Sequence, residues 1–517
     1  MKRVLVVFLT TILLLGSLLV TPISPIHSIH IVLADASGDY PPPTDTDWII
    51  RNYTYVGNET LIIPHNITIT NGATLILQNV TLIMNSTETL GDNNTIWVQS
   101  GGTLILRDND GNSLTTNDAT HIMRKNESYG YLFQALDGSH LRIYNSIIEG
   151  CGRLSYPGWQ RAGLSVQTDD AIIDHTNISY AAEYGLVLYN SDAVVSNNTF
   201  YWNEDTGIYI THWSNATIEN NWIGWSNGYG ICVYGGDNTN PRGSNPLIKG
   251  NTIYKTGRDT TTAVALQVYV YCHPVVVDTV IEDWTEDGIY VQGHSSVSAE
   301  NVTLQADGGN YDIIGGGSQN WVWMTNSTLL ASVGYDVAFT ETYGVFTNTT
   351  FDPPQVSFGD SVSNLTVRNY LHIYVNDSTG RPIPNATVHI TDNANGTYDR
   401  NFTTDENGWV KWVVLTDYWQ NKTATIDYND YTVSVSYPGV SFINNNRSVK
   451  MNISRTEYFT ARGEADTYAP IISNILPADG DIVPAGDKIN VSADVEDYNK
   501  TSDIDNVTLH WTNDSWT

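Results

Sequence analysis

Two carboxylates and three large aromatic side chains recur at matched intervals in the middle of this 517-residue chain. Glu183 and Asp205 stand 22 residues apart, as do Tyr180 and Trp202, and Trp225 follows 23 residues later. Each aromatic lies two residues, and each acid five, beyond an apolar residue that itself recurs as Ile178, Phe200 and Ile223. Gly228 takes the acid's place in the third repeat, and Glu286 holds it again after Ile281. Tyr and Trp rings suit the apolar faces of sugars while keeping a polar edge in water. Carboxylates beside them accept sugar hydroxyls or share a cation. Tyr180, Trp202, Trp225, Glu183, Asp205 and Glu286 are therefore the candidate glycan-binding residues. If the site is catalytic, Glu183 and Asp205 are the pair, because two carboxyls about 5 Å apart match a retaining glycosidase and their repulsion raises one pKa. Any two acids one repeat apart would show that separation, and ordinary stacking at a turn would produce the same aromatics.

The elements that must position these residues are set by glycine. Gly163, Gly185, Gly207, Gly230 and Gly288 each open a short apolar alternation, Ala263 takes a glycine's place in the long gap, and Asp312 and Asp336 continue the register. Leu186 and Leu188, Ile208 and Ile210, and Ile231 and Val233 then alternate with period two, so they point one way from a strand. A second short strand follows, then an Asn-containing turn. Asn197, Asn220, Asn301, Asn326 and Asn348 each precede a further apolar residue by three. No helix has that period, a propeller blade needs about 40 residues, and a leucine-rich repeat needs its leucines. The pattern predicts an all-β solenoid with about 22–24 residues per coil, whose equivalent residues stack about 4.8 Å apart. The turn asparagines are expected to form a hydrogen-bonded ladder.

GIYI…NATIENNWI and GLVLYNSDAVVSNNTF resemble the right-handed parallel β-helix repeats of the pectate-lyase-like superfamily, especially NosD-like and prokaryotic, archaeal-style surface versions. The resemblance spans about 48–355 and implies a polysaccharide-facing shaft. It stops short of the family's enzymes. Polygalacturonase-like sequences pair NxD and DD with GHG and RIK, whereas only Asp169-Asp170 and Gly293-His294 occur here. Acidic EDWTED, Glu282 to Asp287, is simplest as a solvated turn. Beyond Pro353-Pro354, residues 368–460 resemble a carboxypeptidase-regulatory-like or Cna-B-like β-sandwich. Residues 467–517 resemble the first strands of an immunoglobulin-like module, which implies a longer natural product.

Charge and composition narrow the partners. With 24 Lys+Arg against 55 Asp+Glu the net charge is -31, which disfavours nucleic acid and anionic lipid and favours neutral polymers or cations. Lys2 and Arg3 precede an apolar run from Val4 to Val20, with Ala34-Asp35-Ala36 beyond it. That is the form of a signal peptide over 1–36, and no other membrane segment is expected. About 25 Asn-x-Ser/Thr sequons suit a glycosylated exterior, although turn chemistry alone writes many of them. Cys151, Cys232 and Cys272 fall at different coil positions and are expected to be free thiols. No metal ligands are assigned and no cofactor is required, with calcium left open. The expectation is a secreted or cell-surface structural and adhesive protein whose partners are polysaccharides, surface glycans or neighbouring surface proteins. A polysaccharide lyase or glycoside hydrolase using the same groove is the first alternative, and a passive stalk or sheath unit the second.

Overall fold

The computed structural model describes residues 39–86, 94–152, 162–236, 242–260, 263–306, 308–330, 334–394, 396–463, 471–476 and 492–496. The expected export segment lies outside these residues. So does most of the last module, of which strands Ile471–Leu476 and Ser492–Glu496 pair antiparallel. No α-helix occurs among the described residues.

Each coil gives one strand to each of three parallel sheets. Leu186–Tyr189 joins the first, Val194–Ser196 the second and Thr199–Tyr201 the third. The next coil lays Ile208–Thr211, Thr217–Glu219 and Trp222–Gly224 upon them. The sheets reach 13, 16 and 11 strands, the second counting strands of the sandwich that join it at the far end. Leu186, Ile208 and Ile231 are register partners on successive coils and are fully buried in one core that runs the length of the shaft. Burying a side chain of that size stabilises by roughly 1.5–3 kcal/mol, which a single coil could not secure without neighbours. The coil openers are glycine because the chains touch there: a Cβ on Gly207 would sit 2.7 Å from the Gly230 carbonyl oxygen.

The register departs from expectation in two places. Ile231 pairs with Leu266, so Ala265, not Ala263, occupies the glycine position; the inserted residues of that coil shift the phase by two. The expected asparagine ladder forms at one step, where Asn348 Nδ2 donates to Asn326 Oδ1 at 2.8 Å, but in the Asn-Asn turns it uses the second residue of each pair. Asn198 donates through its backbone N–H and its side-chain amide to Asn221 Oδ1 at 2.9 and 3.0 Å, and Asn221 does the same to Asn251 at 2.9 and 3.0 Å. Asn197 and Asn220 instead supply the left-handed corner, at φ 57° and 56°, a conformation Asn tolerates better than most residues. A second ladder lines the turn between the first and second sheets. There the backbone N–H of Ser191 donates to Ser214 Oγ, Ser214 to Ser244 Oγ, Ser244 to Cys272 Sγ, and Cys272 to Ser295 Oγ.

At the far end, strand Asn364–Asn376 pairs parallel with Thr342–Thr347 of the shaft and antiparallel with Trp409–Asn421. One sheet thereby passes from the solenoid into a sandwich. The facing layer orders strands 399–403, 387–392, 430–436 and 447–450 over a separate core containing Leu371, Ile373, Val388, Val433 and Phe459.

Candidate functional site

The three candidate rings form a ladder. Tyr180, Trp202 and Trp225 each end a strand of the third sheet in the left-handed conformation, at φ 54°, 56° and 57°, and this corner turns the chain back toward the first sheet. Tyr180 and Trp202 stack at 6.4 Å and 29°, and Trp202 and Trp225 at 5.9 Å and 11°. Their faces largely meet one another, and their edges meet solvent, with Tyr180 38% and Trp202 39% exposed. Arg258 lays its guanidinium 4.7 Å from the centre of Trp202 and is held there by Glu204 at 3.1 Å and Asp259 at 2.7 Å. Lys255 Nζ sits 4.9 Å over Trp225. The ladder is a rim with cationic cover rather than a row of bare platforms.

Three residues on, the acids occupy the edge of the first sheet. The backbone N–H of Asp205 donates to the Glu183 carbonyl at 2.8 Å, and that of Gly228 to the Asp205 carbonyl at 2.8 Å, so the predicted stacking order holds at the backbone. The absence of a side chain at Gly228 makes room for the Asp205 carboxylate: a Cβ there would lie 1.9 Å from Oδ1. Burial holds Asp205 above the usual carboxylate range, with the Thr206 hydroxyl pulling the other way. Glu286 accepts the Asn310 N–H through its carbonyl at 2.5 Å.

Beside Glu286 is the acid the sequence concealed. Asp287 is 3% exposed, and its Oδ1 has no hydrogen-bond partner among the described residues. Burial, aided by the neighbouring Glu286, pushes it up to about 7. Trp284, in the same segment, is 2% exposed. EDWTED is therefore not a solvated turn; its Trp and last Asp pack inward.

Phenols share this face. Tyr184 stacks on Tyr209 at 4.9 Å and 16°, and burial together with Asp205 and Glu183 raises the Tyr184 hydroxyl. Tyr229 is pushed to about 12 by burial, Cys232, Asp205 and Glu286. Tyr290, raised by burial, Asp287 and Glu286, donates to Gln292 Oε1 at 3.0 Å. These groups stay neutral donors near pH 7 beside carboxylate acceptors, an array matched to hydroxyl-rich ligands. A signal for them existed. Tyr184 and Tyr229 immediately precede openers Gly185 and Gly230, and Tyr209 and Tyr290 fill the outward places of the period-two strands.

Other polar candidates resolve into structure. Asp169 Oδ1 accepts the Asp192 N–H at 2.9 Å, and Asp192 Oδ1 the Asn215 N–H at 2.6 Å, so the first Asp of the DD pair builds a turn ladder. Asp170 pairs with Arg142 and with His140 at 2.5 Å. Carboxylate oxygens of Asp108, Asp110 and Asp118 lie within 4.8 Å of one another. Each of these carboxylates already accepts a hydrogen bond, from Asn145, Asn112 and Asn109 respectively. The three cysteines are free and buried.

Three parallel sheets wound from short coils, with an acidic and aromatic flank, define a β-solenoid. The family model for the right handed beta helix region matches residues 79–242 and 163–330, and the chain is a right-handed parallel β-helix protein. The model for macroglobulin domain MG4 matches 370–438, where the sequence resembled a carboxypeptidase-regulatory-like or Cna-B-like fold. Similar solved structures include the Azotobacter vinelandii mannuronan C-5 epimerase AlgE6 A-module, at 16% identity over 56% of this chain and 91% of that one, with TM-score 0.35. The alginate lyase from Paenibacillus sp. str. FPU-7 matches at 13% identity, over 59% and 99%, with TM-score 0.33. A GH87 alpha-1,3-glucanase catalytic unit from Streptomyces thermodiastaticus strain HF3-3 matches at 14%, over 58% and 62%, with TM-score 0.30. At such scores these likenesses carry nothing about what this chain binds. No curated protein matches it.

Proposed function

We propose that this is an exported surface protein whose β-helix holds a glycan along the edge of the first sheet, between the Tyr180, Trp202 and Trp225 rim and the acids Glu183, Asp205 and Glu286. The observation that carries the reading is the half-buried Asp205 carboxylate, seated over Gly228 and flanked by the phenols of Tyr184 and Tyr229. Hydroxyl donors and acceptors placed beside rings are what sugar recognition requires. Neighbouring surface proteins are the other partners this reading admits, and the sandwich serves as a spacer.

A second reading, hydrolysis or elimination on a polysaccharide, draws on Asp205 and Asp287. Both are raised by burial, Asp287 to about 7, and a carboxyl that, like that of Asp287, keeps its proton toward neutrality is what a general acid needs.

Calorimetry against a broad panel of surface glycans, with and without calcium, tests the first reading. Trp202→Ala should weaken binding by roughly 1–3 kcal/mol, the scale of a well-packed aromatic contact. Glu183→Gln combined with Asp205→Asn separates the readings, since a binding shaft keeps most of its affinity while an enzyme loses turnover by orders of magnitude and still holds substrate. If no glycan binds and no product forms, the protein is a passive stalk.

A further inference from the structure

A second aromatic site stands where the solenoid joins the sandwich, away from the acids of the first sheet. A cavity of about 560 Å³ opens there, lined by Tyr398, Trp419, Ile426, Tyr428 and Tyr431 among others, within the size range of small-ligand pockets. Its walls are fixed by unrelated parts of the chain. Tyr431 Oη donates to the Thr416 carbonyl at 2.9 Å and accepts the Thr416 N–H at 3.0 Å, which clamps the ring. Asp392 Oδ2 accepts the Tyr398 N–H at 2.9 Å within a turn that it organises, and Tyr398 meets Tyr431 edge to face at 5.9 Å. The Tyr428 N–H donates to the Asp417 carbonyl at 2.7 Å. Trp419 and Ile426 are cross-strand partners beside Thr366. Among the described residues, the Tyr398 and Tyr428 hydroxyls and the Trp419 indole N–H have no hydrogen-bond partner, so a rigid aromatic wall carries three polar groups for a ligand.

A track leads to this pocket. On the outer face of the second sheet, Trp323, Val345, Thr366 and Trp419 are successive register partners, which puts Trp323 about 15 Å from Trp419 by strand spacing. Trp321 and Trp323 stack at 5.4 Å and 9° while remaining 40% and 38% exposed. The local charge is adverse to anions. Asp392 in the pocket wall and Asp417 and Asp427 beside it outnumber Arg400, which lies over Tyr398.

We infer that this junction binds a neutral oligosaccharide, one sugar seated among Tyr398, Trp419 and Tyr428 and the chain extending along the second sheet toward Trp321 and Trp323. Hydrogen-exchange mass spectrometry of the full chain tests it, because the readout is local and is not confused with binding on the first sheet. The probes are cellohexaose, laminarihexaose and mannohexaose, with oligoguluronate as the anionic comparison. At least one neutral hexasaccharide should protect peptides covering 396–400 and 416–431, and Trp419→Ala should raise the concentration needed tenfold or more. Tyr428→Phe removes a single hydroxyl and keeps the ring, so it decides the matter if Trp419→Ala does not fold; it should raise the required concentration several-fold. No protection by any neutral probe, protection unchanged in both variants, or protection by oligoguluronate at equal or lower concentration would overturn the inference.

Discussion

Asp287 gives the sharpest test of the acidic face. Its carboxyl is raised from the ordinary 3.8 to about 7 by burial and by Glu286, so the folded chain keeps a proton that the unfolded chain has released. Below pH 3.8 both states are protonated and the group's contribution to stability is fully present. Between 3.8 and about 7 folding takes up a proton, so stability falls as pH rises; above 7 both states are ionised and the loss is complete. At about 1.4 kcal/mol per pH unit, the interval bounds the effect at ~4 kcal/mol, which relaxation and water entry reduce. Asp287→Asn cannot ionise and should lose this dependence, although its amide adds a fixed penalty if unpaired. The measured quantity is therefore the difference between wild type and variant in urea unfolding, followed from pH 4 to pH 9. The variant should gain relative to wild type by at least about 1 kcal/mol across that range. Parallel curves would refute the claim that a buried, protonated carboxyl stands at this position.

Gly228→Ala places a Cβ 1.9 Å from Asp205 Oδ1; it should destabilise by roughly 1–3 kcal/mol and weaken glycan binding in calorimetry, and an unchanged thermal midpoint would mean that the carboxylate is seated elsewhere. Cys272→Ser keeps an acceptor for the Ser244 N–H, now 3.3 Å from Sγ, and should change stability by less than about 1 kcal/mol, whereas Cys272→Val strands that N–H at a cost of about 1–3 kcal/mol, compared by denaturant midpoints. Asn221→Ala leaves both the Asn198 N–H and the Val195 carbonyl without their partners and should cost about 1–3 kcal/mol for each group. Asn220→Ala, which disturbs a left-handed corner alone, should cost about 1–2 kcal/mol; equal losses at 220 and 221 would place the ladder on the wrong residue.

The solenoid was legible because its physics is periodic. An outward slip of one residue would expose Leu186, Ile208 and Ile231 together, so the apolar alternation and the glycine openers fix the register wherever coils keep 22 or 23 residues. Legibility failed where that length changed. The coil after Ile231 carries inserted residues, and counting from Gly230 placed Ala263 where Ala265 sits. It also failed within the Asn-Asn pair. Composition cannot say which asparagine turns the chain and which bonds its neighbour, because the backbone angle that separates them is not written in residue type. Asp287 was hidden for a related reason. EDWTED reads as a polar run, yet its Trp packs inward and its last Asp is itself the first residue of the next strand, Asp287–Gln292.

The aromatic rim is the part of the site that stability does not explain. A left-handed corner at a non-glycine residue costs roughly 1–2 kcal/mol, and a stacked aromatic pair returns about 0.5–1.5 kcal/mol. Over Tyr180, Trp202 and Trp225, three corners cost about 3–6 kcal/mol against about 1–3 kcal/mol from two stacked pairs, so the rings do not offset their turns. The fold does not demand rings there either, because Lys255 and Asp283 take the same corner, at φ 49° and 54°, on the coils that follow. Asparagine would make the turn with less strain, as it does at residues 197 and 220. Three rings are thus held at a position where they add little to folding, stacked so that their edges reach water beside the coils that bring Glu183 and Asp205 into register. What they supply beyond stability is an amphipathic surface next to carboxylates, and that is the physical ground on which Trp202→Ala is expected to spare the fold and impair the binding.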